Sequence, residues 1–358
     1  MNQQKRILLG HLASNGDCLY ATAIARQIKH DFPECRLTWA IGSFCRHIIE
    51  DNPFVDEVWE IPVANRNDMD TAWRKFEPEA KRRFNMGEFD EIFLTQVNPN
   101  NYQNFDGTIR SSIFRGYPRP ITVPVTPIIR LNESEIESVS SFAHQHQLGM
   151  YKHVVLFECA GASGQSFVTP QYAVEVSKIV LDHSHGCAFI LSSNVKINSS
   201  DHRIIDGSRL SFRENAELTK YCTTIVGCSS GISWLSTSDW AKPLPKIQLL
   251  KRSTSVFASM CHDAEYFGLP TERIIEMTDC TQQHTADCII LALEDFTRAR
   301  STFHERIQVR LDLYLEKFLK TVLRSGHPLK ALKSLSHVKK RYGYDPFIEY
   351  IWRKLQPN

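Results

Sequence analysis

Residues 6–62, RILLGHLASNGDCLYATAIARQIKHDFPECRLTWAIGSFCRHIIEDNPFVDEVWEIP, alternate strand-sized apolar runs with turn chemistry and one helical period. Ile7-Leu8-Leu9 is a short apolar run, and Ser14-Asn15-Gly16 reads as a turn. Residues 19–28 then repeat apolar side chains at helical spacing before Pro33 closes the segment. A second strand is expected over residues 37–41. Strands joined by such helices pair in parallel, and parallel sheets bind ligands outside the carboxyl ends of their strands. Asp17, at the end of the first turn, is therefore expected at a crevice. Aspartate there serves either as a base or as a helix N-cap, and from the residues alone the cap is the commoner role.

A second phrase, Asp51-Asn52-Pro53-Phe54-Val55-Asp56-Glu57-Val58, follows the second strand, and it resembles one that in a known enzyme family leads into a third strand. With the Gly16-Asp17 turn it resembles the N-terminal domain of the ADP-heptose:lipopolysaccharide heptosyltransferases and their relatives, the GT-B glycosyltransferases of family 9. The resemblance implies an α/β, GT-B-like fold of two Rossmann-type α/β/α domains facing a cleft, with helices at the C-terminus. It implies that Asp17 deprotonates the acceptor hydroxyl, with Asn15 and Gly16 against the acceptor. His11 shares that loop and is a candidate to orient the carboxylate or the hydroxyl; an ordinary loop donor is the alternative.

Length and composition agree with a two-lobed enzyme. At about 150 residues per domain, 358 residues suggest two cores. With 42% hydrophobic and 23% charged residues, the chain falls among globular proteins and away from disordered ones. It has no run of about 18 apolar residues, and the opening MNQQKRILLG is too short in its apolar part for a signal peptide. A cytoplasmic location is expected. The ten cysteines show neither C-x-x-C nor a zinc-ligand spacing, so they read as reduced, buried, small apolar residues, and no metal site is expected.

Residues 88–94 read as a charged turn running into a further strand of the first lobe, and the polar loop 95–105 at its end could meet the acceptor. Pro118, Pro120, Pro124 and Pro127 then impose an extended connection. The junction is placed just after it, giving an acceptor domain over 1–128 and a nucleotide-sugar domain over 129–293. A helix over 132–147 precedes a strand at 153–157. The loop after that strand, Glu158-Cys159-Ala160-Gly161-Ala162-Ser163-Gly164-Gln165-Ser166, is dominated by small residues ahead of Thr169-Pro170, which opens a helix. Backbone amides approach an anion closely where side chains are small, so Gly161, Ser163, Gly164, Gln165 and Ser166 form a candidate diphosphate cradle. An ordinary strand-to-helix turn is the alternative. Glu158 is a rival catalytic carboxylate, or else a solvated loop charge.

After a strand at 188–191 and a helix at 215–221, strand-turn-helix order recurs in Ile225-Val226-Gly227-Cys228-Ser229-Ser230-Gly231-Ile232-Ser233-Trp234-Leu235, followed by Lys242-Pro243. This resembles the family's Val-Gly-x-Asp-Ser/Thr-Gly-x-x-His-Leu phrase. Ser229 replaces the family's acid, Trp234 its histidine, and Gln165 or Ser166 a phosphate-binding lysine. Ser229, Ser230, Gly231 and Ser233 can still offer hydroxyls and amides to phosphate or sugar oxygens, but ADP-heptose is not expected to be the preferred donor. A serine-rich helix cap packed by Trp234 is the alternative.

Residues 294–323 keep apolar positions at helical spacing and predict one long helix ended by Gly326-His327-Pro328. Residues 317–354 carry ten Lys/Arg against Asp345 and Glu349, in a chain whose net charge is +2. Leu329, Leu332, Leu335 and Val338 form an apolar stripe beside Lys333, Lys339, Lys340 and Arg341. Such a basic helical extension, 294–358, suits either packing on the core or an anionic membrane surface. No nucleic-acid recognition motif accompanies the charge.

The expected activity is thus a glycosyltransferase moving a sugar from a nucleotide-sugar donor to a hydroxyl of a surface glycan or glycolipid. Inversion without metal or cofactor is expected, the nucleotide-sugar being the substrate, with peripheral contact at the inner membrane face, through residues 317–354, as one of the two roles open to the tail. A GT-B-shaped nucleotide-sugar epimerase and a silent sugar-binding scaffold are the alternatives.

Overall fold

The computed structural model describes residues 4–63, 65–97, 101–159, 161, 164–253, 259–307, 315–316 and 328–356. The chain divides into two compact units, Met1–Ile129 with Arg310–Asn358, and Arg130–Val309.

The first unit opens β1 (Arg6–Gly10), α1 (Asn15–Asp31), β2 (Arg36–Gly42), β3 (Glu57–Ile61), α2 (Met69–Asn85), β4 (Glu91–Leu94) and α3 (Ile109–Phe114). Its sheet is parallel throughout, in the order β3-β2-β1-β4. Ile7, Leu8 and Leu9 are fully buried, as a central parallel strand covered on both faces requires. The helix after β1 begins four residues earlier than its apolar period suggested. Ser14 is its N-cap, so Asn15, Gly16 and Asp17 are its first turn, not a loop before it. The proline-rich connection is fastened to α1: Gln27 Oε1 accepts from the amides of Thr122 (2.7 Å) and Val123 (3.0 Å).

The second unit runs α4 (Glu133–Gln145), β5 (His153–Glu158), α5 (Pro170–His183), β6 (Cys187–Ser192), β7 (Ile204–Asp206), α6 (Glu214–Leu218), β8 (Thr224–Gly227), α7 (Gly231–Leu235), β9 (Lys246–Leu250), α8 (Met260–Tyr266), β10 (Ile274–Thr278), α9 (Gln282–Glu294) and α10 (Phe296–Phe303). Six parallel strands are ordered β10-β9-β8-β5-β6-β7. Alternation along β5 sends Val155 and Phe157 into the core under α5 and α9, and Val154 and Leu156 into the core under α4 and α6. All ten cysteines are buried free thiols.

The single long helix expected from residue 294 is broken. Asp295 ends α9, its amide donating to Leu291 O, and its side chain then accepts from Arg298 N to start α10. A short carboxylate that competes for backbone donors favours such a cap over helix continuation. Phe303 packs on the second unit's core and His304 ends α10. Of the rest of the expected helix, residues 308–314 and 317–323 lie outside the described residues.

The chain closes with α11 (Pro328–Tyr342) and α12 (Asp345–Leu355). Ala331, Ser334 and Val338 of α11 are buried, and Ser334 Oγ donates to Phe105 O at 2.7 Å. Arg341 faces inward, not outward as the membrane alternative would have it. It pairs with buried Asp106 at 3.0 Å and also donates to Thr108. The expected apolar stripe is split, since Val338 is buried and Leu335 half-buried while Leu329 and Leu332 stay exposed.

Candidate functional site

In each unit the chain lays strands to one side of its first strand and then crosses to the other. The sheet order reverses between β1 and β4, and again between β5 and β8. Such reversals open crevices at the strands' carboxyl ends, where α/β sheets bind ligands. The Gly16-Asp17 turn after β1 and the Gly227–Ser233 turn after β8 lie at these points.

In the first unit residues 11–13 leave β1 between two walls. On one side His11 N donates to Ala40 O (3.1 Å), Gly42 N to Leu12 O (3.0 Å) and Trp39 Nε1 to His11 O (3.0 Å). On the other, the Gln96 side chain accepts from the amides of Leu12 (2.8 Å) and Ala13 (3.1 Å) and donates to Ala13 O (2.6 Å). Gln96 thus bonds the turn as a strand neighbour would. The clamp fixes where α1 starts and so where its first turn presents Asp17. That carboxylate is half-buried, and its Oδ2 accepts from Ser14 N at 3.5 Å, reaching back as the third helical residue does in a capping box. Gly16 lies beside it in the same turn. Asn15 Oδ1 accepts from the thiol of Cys45 at 3.1 Å.

His11 stands apart from this turn. Its imidazole is fully buried, Nδ1 lies 3.0 Å from Thr95 Oγ1, and Nε2 makes no hydrogen bond. Burial pushes its pKa down to about 3, so it is uncharged at neutral pH. The ring bonds Thr95 and not Asp17.

In the second unit the loops after β5 and β8 meet. A Cβ on Gly161 would stand 3.0 Å from Cys228 Cβ and 3.5 Å from Ser230 Cβ, so the two turns approach closely there and a side chain at 161 would press on Cys228. Glu158, expected to be a rival base or a solvated charge, is neither free nor solvated. It is buried at the end of β5 and accepts from Cys228 N (3.0 Å), Ile232 N (3.0 Å), Ser233 N (3.3 Å) and Ser233 Oγ (2.5 Å). An internal carboxylate therefore holds the amides at the start of α7. Ser233's hydroxyl and amide are engaged by it.

Ser229 takes a left-handed conformation (φ 48°), and its amide donates to Gln248 Oε1 at 2.8 Å. Ser230 is the half-buried N-cap of α7, and Gly231 opens that helix against the Phe212 ring. Ser166 Oγ donates to Leu249 O at 2.5 Å, and Gln165 O accepts from Lys251 N at 2.9 Å, so this part of the loop is stitched to the end of β9. Gly164 has a left-handed backbone (φ 70°) with open space around it. Ser163 lies outside the described residues. Lys242 has a structural role, its ammonium donating to Cys222 O at 2.9 Å.

Sequence reasoning missed Thr95, Gln96 and Gln248. Gln96 lies in a loop read as a possible acceptor contact, but nothing in its neighbours marks it as a clamp. Among the described residues, no cluster of three or more His, Cys, Asp or Glu could hold a metal ion.

No protein-family model matches the chain, and no curated protein matches it. Solved structures do. A glycosyltransferase of family 9 from Veillonella parvula superposes with a TM-score of 0.56 at 12% identity, over 84% of this chain and 98% of that one. Escherichia coli ADP-heptose lipopolysaccharide heptosyltransferase II gives 0.53 at 14% identity, over 82% and 99%. A putative UDP-N-acetylglucosamine 2-epimerase from Listeria monocytogenes gives 0.51 at 10% identity, over 88% and 97%. The chain has the α/β fold of these proteins, built on two parallel sheets flanked by helices.

Proposed function

We propose that this chain is an inverting, metal-independent glycosyltransferase that moves a sugar from a nucleotide-sugar to a hydroxyl of a glycan or glycolipid. What carries the reading is the coincidence of motif and topology. The Gly16-Asp17 turn and the Gly227–Ser233 turn each sit at the reversal point of a parallel sheet, in a fold shared with glycosyltransferases. The first unit takes the acceptor and the second the donor. Asp17 removes the proton as the acceptor oxygen attacks the anomeric carbon, while the bond to the diphosphate oxygen breaks on the opposite face. Asn15 and Gly16 line the acceptor's side. The departing diphosphate draws on the amides and hydroxyls of Gly161, Ser163, Gly164, Ser229, Ser230 and Gly231. Ser233, Gln165 and Ser166 contribute by holding those turns in shape. His11, neutral and bonded to Thr95, acts by fixing the turn before Asp17.

Incubation with ADP-, GDP-, UDP- and CMP-sugars tests this. Nucleotide release that rises with a glycan or glycolipid acceptor and persists in EDTA is the expected result; no release and no binding of any of the four would sink it. The Listeria epimerase's shared fold favours one second reading. An isomerised nucleotide-sugar with no free nucleotide would establish that one instead. In the transferase reading the reaction takes place at the cytoplasmic face of the inner membrane, where a lipid-linked acceptor is presented.

A further inference from the structure

We propose that the outward face of α12 is a docking surface for an anionic lipid bilayer. Tyr344, Ile348, Ile351, Trp352 and Leu355 are each 56–71% exposed. At about 100° per residue they fall within roughly one 100° arc of the helix, the width of a contact face. On the other side of the helix Pro346 is buried and Phe347 and Tyr350 are half-buried. Large apolar side chains gathered on one exposed stripe mark an interaction site, whereas scattered ones do not. Leu329 and Leu332 of the preceding helix are exposed as well.

The charge around the stripe selects the occupant. Residues 328–356 hold seven Lys/Arg against two acids, and Lys333, Lys339, Lys340, Arg353 and Lys354 are exposed. One of the seven, Arg341, is committed inward to Asp106, and Lys354 reaches Glu316 at 3.3 Å on the surface. The excess remains positive. A second copy of this chain would set two basic surfaces against each other. A bilayer with anionic headgroups satisfies both features, since the apolar stripe enters the headgroup boundary while the lysines meet lipid phosphate. Tyr344 and Trp352 are the side chain types favoured at that depth. Eleven residues make a helix of about 16 Å, suited to lying in the plane of the surface, not to crossing it. No helix among the described residues is long and apolar enough to cross a membrane.

This surface stands independently of the chemistry at the two sheet reversals, and its test uses no sugar. The full chain is sedimented with phosphatidylcholine vesicles, with and without phosphatidylglycerol. Binding is expected only with the anionic lipid, strong at low salt and at least tenfold weaker at 0.5 M salt. The doubly substituted chain Ile351→Ser, Trp352→Ser should lose at least tenfold in binding, and Lys339→Glu, Lys340→Glu should do the same. All four positions are exposed, so both variants should keep the parent's unfolding midpoint. An intact chain that ignores phosphatidylglycerol at low salt overturns the proposal, as does a folded Ile351→Ser, Trp352→Ser chain that still binds. Concentration-dependent dimerisation abolished by that variant would assign the face to a second copy and also overturn it. Nucleotide release, measured separately, is expected to be unchanged in both variants.

Discussion

At the scale of single residues, the two carboxylates near the sheet reversals, Asp17 in α1 and Glu158 at the end of β5, have different surroundings. Asp17 is half-buried on the first turn of α1, and its Oδ2 accepts from Ser14 N at 3.5 Å. Glu158 is buried and holds four donors. Proton removal in the proposed reaction belongs to the first. Asp17→Asn should lower turnover by about 10² to 10⁴ while leaving donor affinity nearly unchanged, because the amide keeps the acceptor for Ser14 N but cannot take a proton. Steady-state kinetics decide it, and near-normal turnover removes Asp17 from the mechanism. Glu158→Gln should instead act on stability. One carbonyl oxygen cannot serve donors that now share two carboxylate oxygens, so a loss of about 1–3 kcal/mol is expected in urea unfolding. An unchanged midpoint would show that α7 does not depend on that carboxylate.

Among the elements, α11 shows how charge can fasten a helix that sequence alone leaves ambiguous. Burial works to raise the pKa of Asp106, but the guanidinium groups of Arg115 and Arg341 and the Thr108 hydroxyl outweigh it and hold it below the ordinary carboxylate range. A depressed folded pKa contributes stability that is present above the unfolded value of about 3.8 and lost as pH falls through the folded one. Acidification below pH 4 should therefore weaken the docking of α11. Arg341→Ala should cost about 1–3 kcal/mol at neutral pH, since Arg115 remains to offset the buried charge. Urea titrations at pH 7 and pH 3 check both statements. A variant as stable as the parent at pH 7 would mean that the ion pair does not hold α11.

Over the whole molecule, a second titrating group works in the opposite direction. Glu276 is fully buried and accepts from Ser259 Oγ (2.8 Å) and the amides of Met260 (2.6 Å) and Cys261 (3.3 Å). Burial nevertheless lifts its pKa from 4.5 to about 7. A raised folded pKa means that the native state binds the extra proton between those values, so its stability contribution is complete below pH 4.5 and is lost as pH rises to about 7. Unfolding midpoints of Glu276→Gln should lack this decline, whereas a parent-like slope would discount Glu276. Ligand binding offers a separate whole-molecule measure. A nucleotide-sugar at about 100 times its dissociation constant should add about 2.7 kcal/mol of stability. With Ser229, Trp234 and Gln165 or Ser166 in place of acid, histidine and lysine, ADP-heptose should not give the largest shift of the sugars compared; if it does, the reading of those three replacements is wrong.

The parallel α/β class, β1, β2 and the strand-turn-helix order around residues 158 and 229 were legible in the sequence, while β3 followed from the resemblance of the phrase at 51–58. They rest on short-range causes: apolar runs, helical period, turn residues and proline. Local signals also located the turns that carry Asp17 and Ser229. They did not show that Asn15 to Asp17 are already helical, because turn residues and a helix's first turn use the same small and polar side chains. Nor did they reveal Gln96 bonding the turn before Asp17, or Glu158 occupying the amides at the start of α7. Those partners are separated by 70 residues or more, and only parallel pairing of β1 with β4 and of β5 with β8 brings them together. The basic tail divides in the same way. Composition gave its charge and apolar period, whereas the fold decided that Arg341 turns inward to Asp106 while Ile351 and Trp352 remain outside. Whether a side chain meets protein or solvent depends on what the rest of the chain packs against it.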